Sequence, residues 1–305
     1  MRIGLTFNLK PAGATGDRFE EFDSEETIVA LERAFRAHGH DPVRLASGEE
    51  MLDALDRQRV DGVFNLAEGI GGRGRESQVP AVLEMYGIPC TASSPLAIGL
   101  TLDKALAKTV AKAHGIATAP WFVERRVSLH YPLFCKPANE GSSMGITAKS
   151  FCRDERELDS ALADLAQYGP VLVEEFLPGD EYTVGIIDGE AIGVMQVLPR
   201  AREDNFIYSL EVKRDYLNRV EYRTFRDRDI EAIALAVWDA FELRDVARVD
   251  IRRDRDGVPN FVEVNPLPGM NPVYSDLIIM ATGLGWKYDD LIGRVIASAV
   301  RRWAA

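Results

Sequence analysis

Apolar and polar positions in the first ninety residues alternate between two periods. RIGLTFNL (2–9) reads as a strand, and SEETIVALERAFRAHGH (24–40) repeats apolar residues at three- and four-residue steps, an amphipathic helix with Ser24 at its N-cap. PVRLAS (42–47) is a short strand, EEMLDALDRQ (49–58) a helix, and DGVFNLAEG (61–69) a strand ending in polar residues. ESQVPAVLEMYG (76–87) is helical, with Pro80 near its start. Such strand–helix alternation predicts a small parallel sheet with helices on its faces. Sites in such sheets lie at the carboxyl ends of strands, here 7–10 and 66–69.

From residue 94 the pattern changes. SPLAIGLTLDKALAKTVAKAHG (94–115) predicts a helix with a short break, followed by strands APWFV (119–123), PLFCKPA (132–138) and MGITAK (144–149), a helix at 154–169 and the strand VLVEEFL (171–177). A third unit opens with strands 181–187 and 190–200, joined by a turn at Asp188-Gly189. The polar stretch 201–220, with Tyr208 and Tyr216 and with Tyr222 just beyond it, reads as a lid over a site rather than a surface insert. A helix at 228–243, two strands and a C-terminal helix at 290–303 complete the chain. The expected division is an N-terminal Rossmann-like unit, 1–93, a central unit, 94–180, and a C-terminal unit, 181–305.

The two late strands, VARVDIRR and NFVEVN, carry polar residues where a core strand should have none. Taking Asp256-Gly257 as a two-residue hairpin loop sets Asp250 opposite Glu263 and Arg248 opposite Asn265. All four then share one face, because residues two apart on a strand point the same way. Val249, Ile251, Val262 and Val264 are left to cover the other face. A surface salt bridge is one reading of this patch. The other is a cation site: carboxylates directly opposite repel, a divalent ion removes the repulsion, and carboxylate plus amide oxygens suit Mg²⁺ or Mn²⁺ rather than zinc.

Composition narrows what such a site serves. The chain has 305 residues, is 46% hydrophobic and carries a net charge of −12, which excludes a broad nucleic-acid or anionic-membrane surface but leaves room for a nucleotide in a local basic cleft. No apolar run approaches a membrane span. Three cysteines, Cys90, Cys135 and Cys152, without zinc spacing, and an N-terminus lacking a signal-peptide pattern lead to the expectation of a cytoplasmic protein. Phosphate donors are available in NEGSSMG (139–145), a Gly/Ser loop after Lys136 that fits either an anion cradle or a plain turn. Lys104 and Lys136 are cations at the ends of elements. Glu174, Glu175 and Glu181 close an apolar strand as solvated acids or as acceptors for a nucleotide.

DGVFNLAEG, VPAVLEMYGIPCTAS, TLDKALAK, LFCKPANEGSSMGI, VLVEEFLPGDEYTV, ARVDI and FVEVNPLPGM occur in this order. Together they resemble the ATP-grasp ligases and, within them, the D-alanine–D-alanine ligases. The resemblance implies an α/β fold of three sub-domains, with ATP between the central and C-terminal ones. It implies that Lys104 and Lys136 bind phosphates, that Glu174, Glu175, Phe176 and Leu177 line the adenine site, and that Glu181 meets the ribose. Gly141, Ser142 and Ser143 fold over the phosphates, with Ser142 near the reacting centre, and Lys213 reaches the terminal phosphate from the lid. Asp250, Glu263 and Asn265 hold two Mg²⁺ ions. Arg248, helped by the Gly269 backbone, stabilises an oxyanion. The implied reaction is carboxylate activation by ATP, through an acyl phosphate, followed by attack of an amine. Its partners are amino acids or small peptides, and a homodimer agrees with the family and with the commonest symmetric assembly.

Departures from that family concentrate on the amino-acid site. The connection NLKPAGATGDRFEEFDSEE (8–26) lacks the family's ammonium-gripping signature. Glu21, Asp23 or Glu25 could replace it, whereas Glu25 and Glu26 also suit the first turn of a helix. Glu68 stands where the family has histidine, Arg214 where the lid has tyrosine, and Tyr274, beside Ser275, where a serine binds the second carboxylate. Added acid at Glu68 favours a more cationic amine, and Arg214 favours a substrate with an extra carboxylate. Two further readings are an inactive nucleotide-binding regulator and a small-molecule kinase using the same cleft.

Overall fold

The computed structural model describes residues 1–14, 16–17, 19–123, 128–201 and 205–304. Strand β1 (Arg2–Thr6), helix α1 (Glu25–Ala37), β2 (Asp41–Ala46), α2 (Gly48–Arg57), β3 (Gly62–Asn65) and α3 (Gln78–Met85) build the first unit. Its parallel sheet has the order β2-β1-β3. The Ser24 hydroxyl accepts from Thr27 N–H and caps α1, and Glu25 and Glu26 occupy the first turn. Ile28, Leu31, Ala34 and Phe35 fall on the buried side of α1.

The break expected within 94–115 lies at Asp103, between α4 (Pro95–Leu102) and α5 (Lys104–Ala113). Its carboxylate accepts from Ala105 and Leu106 N–H, so one acid starts the second helix. Next come β4 (Trp121–Val123), β5 (Leu133–Pro137), β6 (Phe151–Cys152), α6 (Glu155–Leu165) and β7 (Val171–Glu175), an antiparallel sheet of order β4-β7-β5-β6 with α6 on one face. The strand expected at 144–149 is absent: that segment is a turn running into a short 3-10 helix, Ala148–Ser150, and only Phe151 and Cys152 pair with β5.

The last sheet, order β10-β9-β8-β11-β12, is antiparallel throughout. It contains β8 (Glu181–Ile187) and β9 (Glu190–Pro199) and, after α7 (Leu210–Arg214) and α8 (Tyr216–Arg219), β10 (Val220–Phe225). Helix α9 (Arg228–Ala240) precedes β11 (Val246–Arg253) and β12 (Pro259–Asn265), and α10 (Asp276–Gly283) and α11 (Tyr288–Trp303) end the chain. The three sheets take their strands from residues 2–65, 121–175 and 181–265, and helices pack across them. Ala97, Ala107 and Ala111 of α4 and α5 pack with Val249, Phe261 and α9 on the last sheet. Leu291, Ile292 and Val295 of α11 pack with α1 and β1 of the first unit.

The two Asp-Gly pairs behave differently. Asp188 (φ 58°) and Gly189 (φ 76°) form the tight β8–β9 turn. At Asp256-Gly257 the loop is wider, because Asp254 Oδ1 accepts from both Asp256 and Val258 N–H at 2.9 Å and organises 254–258 itself. A β-bulge restores the register. Arg253 pairs Pro259 and Ile251 pairs Phe261, but Asp250 pairs Glu263 and Arg248 pairs Asn265, with Val262 as the extra residue. Val262 therefore turns to the cleft beside Glu263, instead of covering the far face, which Phe261 takes over.

Candidate active site

Two adjoining cavities lie between the sheets. The narrower is lined by the ends of β5 and β7 on one side and by β8, β9, β11 and β12 on the other. Lys136, Ser143, Glu174, Glu175, Phe176, Leu177 and Glu181 all border it. Lys104, Gly141, Ser142, Asn265 and Gly269 border the wider one, as do Glu68, Arg214, Tyr274 and Ser275. Five residues face both: Tyr208, Lys213, Arg248, Glu263 and Asp276. Asp250 is at the narrow side.

Glu174 is buried between two lysines. Lys136 Nζ stands 2.8 Å from Oε1 and Lys108 Nζ 2.7 Å from Oε2, the latter a charge contact without hydrogen-bond alignment. Burial pushes Glu174 up, but the lysines outweigh it and bring its pKa down to about 2. Burial keeps Lys108 below the usual lysine range despite Glu174, whereas on Lys136 the charges of Glu174 and Glu263 overcome burial and raise it. Lys108 also donates to Thr118 Oγ1 (2.6 Å), which donates to Phe261 O (2.9 Å), so the triad is tied to β12.

Phe176 lies under the Arg252 guanidinium, 4.8 Å from its ring centroid. Arg252 reaches Glu181 at 3.2 Å and donates to Phe206 O at 2.9 Å, joining β11 to the segment before α7. Glu175 accepts from His130 N–H at 2.8 Å.

On the β11–β12 pair, Thr183 Oγ1 donates to Asp250, and Arg248 Nη2 lies 3.2 Å from Asp250 Oδ2 while Nη1 pairs with Asp276. Lys104 Nζ is 3.4 Å from Glu263 Oε2. Burial lifts Asp250 to about 6, against Arg248 and with the help of Glu263. Burial also pushes Glu263 up, but Lys104, Lys136, Arg248 and Lys213 bring it down to about 2. Asn265 Oδ1 accepts from Leu267 N–H at 2.9 Å and retains a second lone pair. Two cross-strand carboxylates, one with its pKa raised by burial and its neighbour, and a nearby amide oxygen fit a hard divalent cation.

Ser142 (φ 49°) and Ser143 (φ 57°) both adopt the left-handed region that non-glycine residues rarely enter. Gly141 N–H donates to Glu21 Oε1 (2.8 Å), and Ser143 Oγ to Tyr208 O (3.2 Å). The segment expected to be a structureless lid is ordered by α7 and α8, although 202–204 lie outside the described residues. Tyr208 OH meets Tyr222 OH and donates to Asp276 Oδ1 at 3.1 Å. Lys213 Nζ sits 4.9 Å from the Tyr208 ring centroid.

Arg214 is already paired, with Glu20 Oε2 (2.7 Å) and Gly16 O (2.8 Å). Its charge therefore ties α7 to the first unit, and a substrate carboxylate would have to compete with Glu20 for it. Replacing it with tyrosine should weaken amino-acid binding less than about tenfold, since half-exposed pairs contribute under roughly 1 kcal/mol. Steady-state KM measurements with several amino acids would show this, and a switch in preferred substrate would contradict it.

Of the three acids considered for the ammonium grip, Glu25 pairs with Arg44 at the surface, while Glu21 and Asp23 line the wide cavity. Four residues at the site carried no motif, and a fifth, Lys108, closes TLDKALAK without standing out in it. Asp276 starts α10, Lys108 lies one turn after Lys104, and Arg75 holds Glu21 through Nη2 at 2.9 Å from both oxygens. Asn8 Oδ1 accepts from Glu68 and Gly69 N–H, and Glu76 is buried beside them. Gly69 (φ 83°) cannot be replaced without strain, because a Cβ there would lie 2.0 Å from Arg75 O.

Residues 102–297 match the family described as D-ala D-ala ligase C-terminus. The D-alanine–D-alanine ligase of Aquifex aeolicus is 32% identical, over 90% of this chain and 94% of its own length. An uncharacterized protein of Sinorhizobium fredii is 31% identical over 92% of this chain and 88% of its own. Among solved structures, the ATP complex of the Bacillus anthracis D-alanine–D-alanine ligase superposes with a TM-score of 0.76 at 23% identity, covering 100% of this chain and 99% of that one. The VanG D-Ala:D-Ser ligase of Enterococcus faecalis gives 0.74 at 20%, covering 98% and 99%. The fold is that of the ATP-grasp enzymes, and the chain belongs to the D-alanine–D-alanine ligase family of ATP-dependent C–N ligases.

Proposed function

We propose that this enzyme joins the carboxylate of one amino acid to the amine of another, giving a dipeptide or related amide, ADP and phosphate, through an acyl phosphate. The observation that carries the reading is the set of residues facing both cavities. Lys213, Arg248 and Glu263 stand where a nucleotide in the narrow cleft would meet an amino acid in the wide one.

In this reading Glu174, Glu175, Phe176 and Leu177 hold the adenine end and Glu181 the ribose. Lys104, Lys136, Lys213 and the loop at Gly141, Ser142 and Ser143 hold the phosphates. Asp250, Glu263 and Asn265 hold Mg²⁺, or Mn²⁺, which neutralises charge on the phosphates. The terminal phosphoryl group passes to a substrate carboxylate oxygen as its bond to ADP breaks, a step driven by positioning and charge. The amine then forms a bond to the acyl carbon, the carbonyl oxygen becomes negative, and Arg248 with the Gly269 N–H faces that charge. Collapse expels phosphate, and the amine gives up its extra proton. The lid excludes water from the acyl phosphate.

The test is ADP release against pairs of D- and L-amino acids, with mass spectrometry of the products. An amide formed in step with ADP supports the ligase. A stable phosphorylated product without an amide would make the protein a kinase. The cation site has its own test. Thr183 fixes Asp250, and removal of such a supporting hydrogen bond typically costs about 10–100-fold in metal affinity or activity. Thr183→Val should therefore raise the Mg²⁺ concentration for half-maximal activity about tenfold or more, and an unchanged Mg²⁺ curve would argue against Asp250 as a ligand.

A further inference from the structure

The inner end of the wide cavity carries more acid than a single ammonium group can neutralise. Glu21, Glu68 and Glu76 each place a carboxylate oxygen within 4.8 Å of the others. Asp23 lines the same space. Glu76 is only 7% exposed, yet among the described residues its carboxylate has no hydrogen bond or ion pair at contact distance. Asp23 and Glu68 likewise lack a contact partner for their carboxylates among the described residues.

The nearby cations are already committed. Arg75 bonds both oxygens of Glu21, stands 3.2 Å from Glu140 and donates to Asn139 O. Lys104 is engaged by Glu263 and Glu140 O, and Lys10 by Glu20. Three buried or half-buried carboxylates thus face the cavity without a cation at contact distance among the described residues, an arrangement that is costly unless a cation enters. Arg75 acts on Glu68 and Glu76, and Lys104 on Glu76, only from further away. Burial, with the neighbouring acids for Glu68 and Glu76, raises all three: Asp23 and Glu76 to about 7, and Glu68 well up.

We propose that this pocket selects an amino acid with a second cationic group beside its α-ammonium, a diamino acid, with Glu68, Glu76 and Asp23 receiving the two positive charges. The proposal rests on the ligase reading for its place in the reaction, though not for its chemistry. A metal ion fits less well. Glu21 is occupied by Arg75 and Gly141 N–H, which leaves two carboxylates of the cluster and a guanidinium that would repel a divalent ion.

The test is calorimetric binding to the enzyme with Mg²⁺ and a non-hydrolysable ATP analogue. Its ligands are alanine, 2,3-diaminopropionate, ornithine and lysine, each in both handednesses. At least one diamino acid should bind about tenfold or more tightly than alanine, as expected for one added hydrogen bond between charged groups. Glu76→Gln and Glu68→Gln should each erase most of that preference. Neither should unfold the protein, because each removes an unpaired buried charge, and thermal melts would check this. Alanine binding as tightly as every diamino acid, no binding by any diamino acid, or a preference that survives both substitutions would overturn the proposal. So would Mn²⁺ titrating into a site that Glu76→Gln abolishes. A diamino acid bound with the expected preference but never converted to an amide would spare this inference and remove the ligase reading. Amide formation from neutral amino acids alone would do the reverse.

Discussion

Arg248→Lys should lower kcat by about 10²–10³-fold, the usual loss when one donor to a developing oxyanion is removed, while nucleotide binding stays close to wild type. Arg248 is half-buried on β11 and spans two acids, Asp250 through Nη2 and Asp276 through Nη1. A guanidinium can hold both carboxylates in its plane and still present N–H groups to the cavity. A lysine at this position keeps the charge but offers a single point, which one of the acids will capture. The lesion should fall after carboxylate activation. Trapping with hydroxylamine should therefore still yield a hydroxamate while amide formation collapses. Rapid-mix measurement of both products decides the matter. A kcat within about threefold of wild type would show that the charge at 248, not its geometry, is what the reaction uses.

The Arg248 patch was legible in the sequence because a strand has only two faces. Asp250 and Glu263 pair as the alternation of polar residues required, even though the turn chemistry at Asp256-Gly257 pointed to a shorter loop. Asp254 widened the loop and the bulge at Val262 gave the residue back. The site-facing register survived, and only the orientation of Val262 did not. Asp276 could not be read this way. Its contact with Arg248 depends on where α10 docks against the last sheet, and local periodicity says nothing about docking. Lys108 left a signal that was available. Lys104, Ala107, Lys108 and Ala111 fall on one face of α5, so both lysines had to be buried with the alanines, and a buried lysine needs an acid.

The same distinction explains the helices. Periodicity placed α4, α5 and α11, but not the sheets they cover. Helices α4 and α5 follow the first unit in sequence and pack on the last sheet, while α11 closes the chain and packs on α1. Strand β10 was hidden because VEYRTF has charged residues on one face and belongs to the edge of its sheet, paired with β9 alone among the described residues. Arg75 and Glu76 look like ordinary polar residues at the start of a helix. Only the return of the chain at Gly69 buries them beside Glu21 and Glu68.

Glu174→Gln should destabilise the protein by about 3–5 kcal/mol at neutral pH, the range for breaking a buried ion pair by removing one partner. The amide leaves Lys108 and Lys136 facing each other with no counter-charge, in a position where both side chains are almost fully buried. Glu174 ionises in the folded protein at about 2, below its ordinary value of 4.5. Its contribution is therefore fully present above pH 4.5 and is lost as the pH falls towards 2. The wild type should lose stability across that window more steeply than the variant, so the two unfolding free energies converge in acid. Chemical denaturation at a series of pH values measures this. The Lys108→Met variant provides a second comparison, because it keeps the Lys136–Glu174 pair and removes the excess positive charge. The double variant Lys108→Met, Glu174→Gln should then be more stable than Glu174→Gln alone, since only one buried lysine remains unpaired. Equal stability of the single and double variants would mean that Lys108 and Lys136 do not repel each other across the Glu174 site.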